Sequence, residues 1–170
     1  MTTILETERL FLRELTVEDA DFILQLLNEP EYIIFIGDRG VRTHKDARNY
    51  IQETIIASYE KNGFGLYLVE LKEDATPIGC CGLINRDGLP DIDIGYAFLA
   101  EFHNFGFATE SAEAVMAFGK NNIGLKRIVG ITAVDNQKSI KILEKVGLRF
   151  EKRITLPGDH EEILLFGWDA

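Results

Sequence analysis

Asp91-Ile-Asp-Ile-Gly-Tyr-Ala-Phe-Leu-Ala-Glu-Phe-His-Asn-Phe-Gly-Phe-Ala-Thr-Glu-Ser-Ala-Glu-Ala114 reads as a strand, a short glycine-containing loop and a helix that opens at Gly106 or Phe107. The first amides of a helix have no intrahelical partner, and they point at whatever lies in front of it. Together with a dipole of roughly half an elementary charge, they make a site for an anion, most often phosphate. A βα turn with a single well-placed glycine also serves as a plain structural turn, so the assignment has to come from the rest of the chain.

On the N-terminal side of this unit, Phe64 to Leu71 and Pro77 to Asn85 read as strands on either side of a Lys72–Thr76 turn, and the pair as a hairpin. Arg86 to Pro90 is a second turn leading into the strand Asp91–Leu99. Upstream, Thr7 to Leu15 alternates as a first strand, with Leu10 and Leu12 on one face and Arg9, Phe11 and Arg13 on the other. Thr16-Val-Glu-Asp19 has the form of a capping box for a helix that carries Phe22, Ile23, Leu26 and Leu27 on one stripe and stops near Asn28 and Pro30. Tyr32 to Arg42 is ambiguous. Thr43 caps a second helix that runs to Asn62 and stops at Gly63. On the C-terminal side, the helix ends near Asn121–Gly124, and Arg127 to Val134 is a β-branched strand. Asn136 to Val146 is a helix stopped by Gly147, and Leu148–Thr155 and Glu161–Trp168 close the chain as strands. The order β-α-α-β-β-β-α-β-α-β-β predicts an α+β fold with a mixed sheet and helices on its faces, and excludes a doubly wound dinucleotide fold, whose strands and helices alternate strictly.

The 170 residues fit one domain, 1–170, with a core of ordinary size. No apolar run approaches the roughly 20 residues that span a bilayer. Met1 to Arg9 carries no secretory signal pattern, so a cytoplasmic protein without a membrane partner is the expectation. The net charge of −10 argues against nucleic acid as a partner. It suits a cationic acceptor or simply serves solubility. Cys80 and Cys81 are adjacent and would point to opposite faces of a strand, which disfavours a disulfide. They read as small strand fillers, with a catalytic thiol as the minor alternative. No His or Cys spacing suggests a metal site, and no Gly-x-x-x-x-Gly-Lys-Ser/Thr motif suggests another nucleotide module.

Four blocks, Glu6-Thr-Glu-Arg-Leu-Phe-Leu-Arg13, Pro77-Ile-Gly-Cys-Cys-Gly-Leu83, Ile94-Gly-Tyr-Ala-Phe-Leu through Gly106-Phe-Ala-Thr-Glu110, and Asn136 through Gly147, stand in the order of a known family. The chain resembles the GNAT superfamily of acyl-CoA-dependent N-acetyltransferases, in its ribosomal-protein N-terminal acetyltransferase-like branch. The resemblance implies a mostly antiparallel sheet of about seven strands flanked by about four helices, with a splayed central strand pair. It also implies that acetyl-CoA is the co-substrate, without a metal, and that the acetyl group goes to a primary amine of a small molecule or a peptide N-terminus.

By the same resemblance, the backbone from His103 through Asn104, Phe105, Gly106, Phe107 and Ala108 to Thr109 cradles the coenzyme A pyrophosphate. Gly106 and Ala108 match the family pattern. His103 replaces an Arg or Gln, Asn104 a Gly, and Phe105 a basic residue, which removes charge and flexibility from the loop. His103 either donates to a phosphate or is a partly exposed loop residue. The strand Asp91–Leu99 is expected to part from Arg127–Ala133 at a bulge, with Gly95 suited to a bulge or to close backbone approach, and a backbone amide near Phe98 or Leu99 to polarise the thioester carbonyl. Asp135 or Asn136 is a good helix N-cap, and by resemblance Asn136 also contacts the pantetheine. Ser139 is implied to lie near the sulfur and to serve the departing thiolate, directly or through a water. The amine needs a base: Asp93 is the first candidate, set against a solvated strand-edge acid, and Glu101 the second. The acceptor groove is expected from the first helices and the loops Tyr32–Gly40 and Pro157–His160. A non-catalytic acyl-CoA-binding sensor or complex subunit is the rival reading, and open sheet edges leave room for a homodimer.

Overall fold

The computed structural model describes residues 2–170. Among the described residues, eight strands form one sheet in the order β1-β2-β3-β4-β5-β6-β8-β7. They are β1 (Thr3–Glu6), β2 (Leu10–Arg13), β3 (Leu66–Leu71), β4 (Pro77–Ile84), β5 (Asp93–Phe98), β6 (Arg127–Ala133), β7 (Arg149–Ile154) and β8 (Ile163–Asp169). The helices are α1 (Ala20–Leu27), α2 (Pro30–Phe35), α3 (His44–Tyr50), α4 (Ala57–Asn62), α5 (Phe107–Phe118) and α6 (Gln137–Lys145).

Two threonines start the first helical segments by the same device. Thr16 and Asp19, and Thr43 and Asp46, exchange side-chain and backbone hydrogen bonds as reciprocal capping boxes. A cap of this kind is worth about 1 kcal/mol. The helix expected over Thr43–Asn62 is present as α3, a π-helical stretch (Ile51–Ile56) and α4, and it ends where Gly63 takes φ +79°. Gly124 and Gly147 likewise end their segments with φ +81° and +100°.

Three elements differ from the sequence expectation. The first strand is the four-residue β2, because Thr7 turns the chain: its hydroxyl accepts from the Leu10 amide at 3.1 Å, and its own amide donates to the Leu10 carbonyl. The residues before that turn form the additional edge strand β1, antiparallel to β2. α1 stops at Leu27 with Asn28 as its cap, as read, but Pro30 also opens the further helix α2, since a residue without an amide hydrogen suits the first turn.

The sheet separates two apolar clusters. Leu10, Leu12, Val69, Cys81, Leu83, Ile94 and Phe98 pack with Val115 and Met116 of α5 and Leu143 of α6. Leu68, Cys80 and Leu99 pack with Phe22, Ile23 and Leu26 of α1, and with Ala47 and Ile51 of the second helical segment. The neighbouring cysteines thus serve opposite cores. Both are buried and free, and burial pushes the Cys81 thiol up to about 12 and Cys80 higher still. Neither suits nucleophilic work at neutral pH.

The decisive feature lies at the centre of the sheet. β4 and β5 pair antiparallel over their whole length, from Ile84↔Asp93 to Gly79↔Phe98. β5 and β6 are parallel and pair only at Asp93↔Val129. Beyond that point the two strands part, as the splay expectation has it. No bulge marks Gly95, whose register with Gly82 is regular. Its role is close approach: a Cβ there would come within 2.7 Å of Ile84 Cδ1.

Candidate active site

A cleft of about 1340 Å³ opens where β5 and β6 part. Its lining includes Asp93, Tyr96, Phe98, His103, Asn104, Gly106 to Thr109, Thr132, Asn136 and Ser139, drawn from β5, the loop after it, α5, β6 and α6. Residues that are far apart in sequence, Asp93 and Ser139 among them, therefore border one cleft. Leu99, Phe105 and Glu101 lie outside that lining.

Gly106 is the N-cap of α5, at φ +82°, and among the described residues no side-chain hydrogen bond caps the helix. The amides of its first turn consequently lack intrahelical partners and open on the cleft. Asn104 sits at φ +68°. Asparagine tolerates this left-handed conformation better than most side chains, which explains how it can stand where a glycine was expected. Phe105 is 58 % exposed, with its ring 5.9 Å from that of Phe107.

His103 is already engaged. Its Nε2 lies 2.9 Å from the Phe98 carbonyl and its Nδ1 3.3 Å from Glu31 Oε2. The histidine ties the loop to α2, and neither nitrogen is left for a phosphate in this arrangement. The cation beside the loop comes from elsewhere. Arg9 stacks on the Phe107 ring at 4.3 Å, and its Nη2 would stand 3.4 Å from a Cβ at Gly106. Glu110 holds Arg9 in place, accepting from Nε at 2.7 Å and from the Arg9 amide at 2.9 Å. Burial acts to raise the Glu110 carboxyl, but the hydrogen bonds from Thr7 and Arg9 outweigh it and keep it below its ordinary value.

The backbone of β5 presents its free edge to the cleft. The Leu99 amide donates to the Ile78 carbonyl at 3.0 Å, so it belongs to the β4 ladder and is not available to a thioester. Amides alternate in direction along a strand, and those of Tyr96 and Phe98 therefore point toward β6, where pairing has ended. Of the two amides the sequence offered, Phe98 is the one the geometry leaves open.

Side chains alternate as well. A Cβ on Gly130 of β6 would touch Leu143 of α6 and Ile94 of β5, which places Ile94 on the α5/α6 face. Tyr96 shares that face, and Asp93 takes the opposite one. Asp93 is 0 % exposed. Its Oδ2 is 3.3 Å from Arg86 Nη2, and Oδ1 has no hydrogen-bond partner among the described residues. Burial raises the carboxyl above its ordinary value, against the opposing pull of Arg86. Asp93 is thus no solvated strand-edge acid; Asp91, just before β5, is half-buried and pairs with Arg127 at 3.0 Å. Glu101, the other candidate base, is exposed on a short 3-10 turn.

On the α6 side, Asn136 Oδ1 accepts from the Ser139 amide at 3.2 Å, so the N-cap role is present. Ser139 is 9 % exposed. Its hydroxyl lies 2.8 Å from the Tyr96 hydroxyl, which also donates to the Ser139 carbonyl at 3.1 Å. Burial pushes the Tyr96 phenol well above its ordinary value, opposed by the bond to Ser139. Sequence reasoning missed Tyr96, although the strand alternation it applied to Asp93 also places Tyr96 on the other face. It also missed Arg86, which reaches Asp93 from a turn with no periodicity to read. Tyr32, Phe35 to Arg39, Leu156 and Asp159 line the outer cleft, along with Glu53 and Ser58 from the second helical segment.

Residues 9–149 match the family described as the Acetyltransferase (GNAT) domain. The chain belongs to the GNAT acetyltransferase family. It is 31 % identical over 153 residues to the uncharacterized N-acetyltransferase YoaA of Bacillus subtilis (strain 168), covering 89 % of this chain and 85 % of the relative. In fold it is similar to the acetyltransferase from Agrobacterium tumefaciens str. C58, with a TM-score of 0.83 and 22 % identity over 100 % of this chain and 95 % of the other. It is equally similar in fold to RimL, a ribosomal L7/L12 alpha-N-protein acetyltransferase in complex with coenzyme A, with a TM-score of 0.84 and 18 % identity over 99 % and 98 %. The GNAT chain is thus an acetyltransferase, with fold neighbours in the branch its sequence blocks resemble. Among the described residues, no group of three or more His, Cys, Asp or Glu could hold a metal ion, and no helix is long and apolar enough to cross a membrane.

Proposed function

We propose that this GNAT protein transfers acetyl from acetyl-CoA to a primary amine, by direct attack of the amine on the thioester. The observation that carries the reading is the meeting, in one cleft, of an uncapped helix start at Gly106, a free strand edge at Tyr96–Phe98, and a buried carboxylate and hydroxyl at Asp93 and Ser139. These residues fit the co-substrate. The amides of Phe107, Ala108 and Thr109 would receive its pyrophosphate, the β5 edge and Asn136 its pantetheine, and the Phe98 amide its thioester carbonyl.

A primary ammonium must lose one proton before it attacks and a second afterwards. Asp93 takes the first, its raised proton affinity suiting a base near neutral pH better than an ordinary carboxylate would. As the C–N bond forms and the C–S bond breaks, the electron pair leaves with sulfur, and the second proton ends there. Ser139 donates a hydrogen bond to the thiolate as its charge develops. Fold does not name the acceptor. Among charged lining residues, Glu31, Asp38, Glu53, Asp87 and Asp159 stand beside Arg39, Lys61 and Arg86, a mixed surface that accommodates a peptide N-terminus or a small amine.

Calorimetric titration with acetyl-CoA, followed by thiol release against a panel of amines and N-terminal peptides, tests the proposal. Binding with turnover on one amine class supports it. Binding without turnover on any of them favours the acyl-CoA sensor.

A further inference from the structure

We infer that Tyr96 is the positioning residue for Ser139, setting the direction in which the serine hydroxyl presents its proton. The inference rests on the transferase reading above and concerns a residue to which that reading gives no task.

Two hydroxyls and one carbonyl share two protons here. Tyr96 Oη carries one proton and faces two acceptors, Ser139 Oγ at 2.8 Å and the Ser139 carbonyl at 3.1 Å. Ser139 Oγ also carries one proton. Two arrangements fit the same heavy atoms. In the first, the tyrosine donates to the carbonyl and the serine donates to the tyrosine, so both protons are spent within the pair. In the second, the tyrosine donates to Ser139 Oγ, and the serine proton is free to point into the cleft. Switching between them needs two hydroxyl rotations and no movement of the backbone.

A developing thiolate in the cleft favours the second arrangement, because a hydrogen bond to a charged acceptor is about twice as strong as one between neutral groups. Tyr96 then donates to the serine while the serine donates to sulfur, and each bond polarises the other. The tyrosine does not give up its proton. Burial opposes a phenolate at this position, so the phenol stays neutral and remains a donor throughout. Its role is to orient and polarise, not to act as an acid.

The surrounding structure holds the pair rigidly. Asn136 fixes the Ser139 amide, and the α6 helix packs through Leu143 on the core cluster that Tyr96 also joins. The tyrosine reaches from β5 to α6 across the gap where β5 and β6 no longer pair. The Ser139 hydroxyl is therefore registered against β5, the strand whose free edge lies along the cleft.

The test is a double-mutant cycle in the full chain, using an amine on which the unaltered protein turns over. Tyr96→Phe keeps the ring and removes the hydroxyl. It should lower kcat on the order of tenfold and leave KM and calorimetric affinity for acetyl-CoA unchanged. Ser139→Ala should lower kcat at least as far. In Tyr96→Phe/Ser139→Ala the tyrosine change should add nothing to the serine change, since a residue that acts only through another loses its effect when the other is gone. Multiplying losses in the double variant, an unchanged kcat in Tyr96→Phe, or a drop in affinity parallel to the drop in kcat would each overturn the inference. Thermal midpoints of all four proteins separate a folding defect from a positioning one. Failure of the unaltered protein to bind acetyl-CoA or release thiol is a different result, and it strikes the transferase reading itself.

Discussion

Asp93 Oδ2 lies 3.3 Å from Arg86 Nη2, while Asp93 Oδ1 is buried with no hydrogen-bond partner among the described residues. A carboxylate held this way is costly when charged, and the single arginine only partly offsets its desolvation. The folded protein holds the Asp93 proton more tightly than the unfolded chain does. Its contribution to stability is therefore fully present below the ordinary carboxylate pKa and is lost as pH rises through the raised folded value. Asp93→Asn should remove this dependence: unfolding titrations across that window should show the unaltered protein losing stability with pH relative to the variant.

The same titration governs the rate. If Asp93 is the base, kcat/KM should rise with pH through an inflection above the ordinary carboxylate range, and Asp93→Asn should abolish that limb and slow turnover by about a hundredfold or more. An unchanged pH profile in the variant would clear Asp93 of this role.

Gly106→Asp should lose acetyl-CoA affinity by at least tenfold in calorimetry. The φ of +82° disfavours any side chain there, and a carboxylate at the start of α5 would repel the pyrophosphate. Gly106→Ala separates the two causes, since it carries the strain without the charge. Equal affinity in the aspartate variant and the unaltered protein would contradict the phosphate assignment.

Gly82 and Gly95 face each other across β4 and β5, yet substitution at the two should differ in cost. A Cβ on Gly82 would fall 2.0 Å from the Gly65 carbonyl oxygen, which is backbone, whereas one on Gly95 meets the end of the Ile84 side chain. Gly82→Ala should destabilise by about 3 kcal/mol or more and Gly95→Ala by about 1 kcal/mol, read from denaturant unfolding. Equal costs would mean that the strands move apart more readily than this packing implies.

Most of the architecture was legible because local signals agreed with the tertiary fold. Thr16 and Thr43 announce their helices, Gly63, Gly124 and Gly147 stop theirs in left-handed conformations, and the apolar run Pro77–Ile84 marks a strand, which the fold buries on both faces. What escaped was short or ambiguous. β1 has only four residues at a sheet edge, and Pro30 signals a helix start as well as a helix stop. In the site, backbone features read best, since Gly106 opens α5 where the sequence places a helix start. Side-chain partnerships read worst. Nothing in the sequence couples Arg86 to Asp93, His103 to Glu31 or Tyr96 to Ser139, because each pair is made only when separate elements meet.

Ser139→Ala should reduce kcat by roughly tenfold to a hundredfold with little effect on acetyl-CoA affinity, since the hydroxyl serves the leaving thiolate and not the ground state. Equal losses in rate and affinity would assign Ser139 to binding instead.

The most direct test of the central claim is calorimetric titration of the purified protein with acetyl-CoA, continued as thiol release in the presence of amines and N-terminal peptides. The account predicts stoichiometric binding followed by release of thiol with one class of amine. Absence of acetyl-CoA binding would contradict it, because the uncapped α5 start and the parted β5–β6 pair would then have been assigned the wrong occupant.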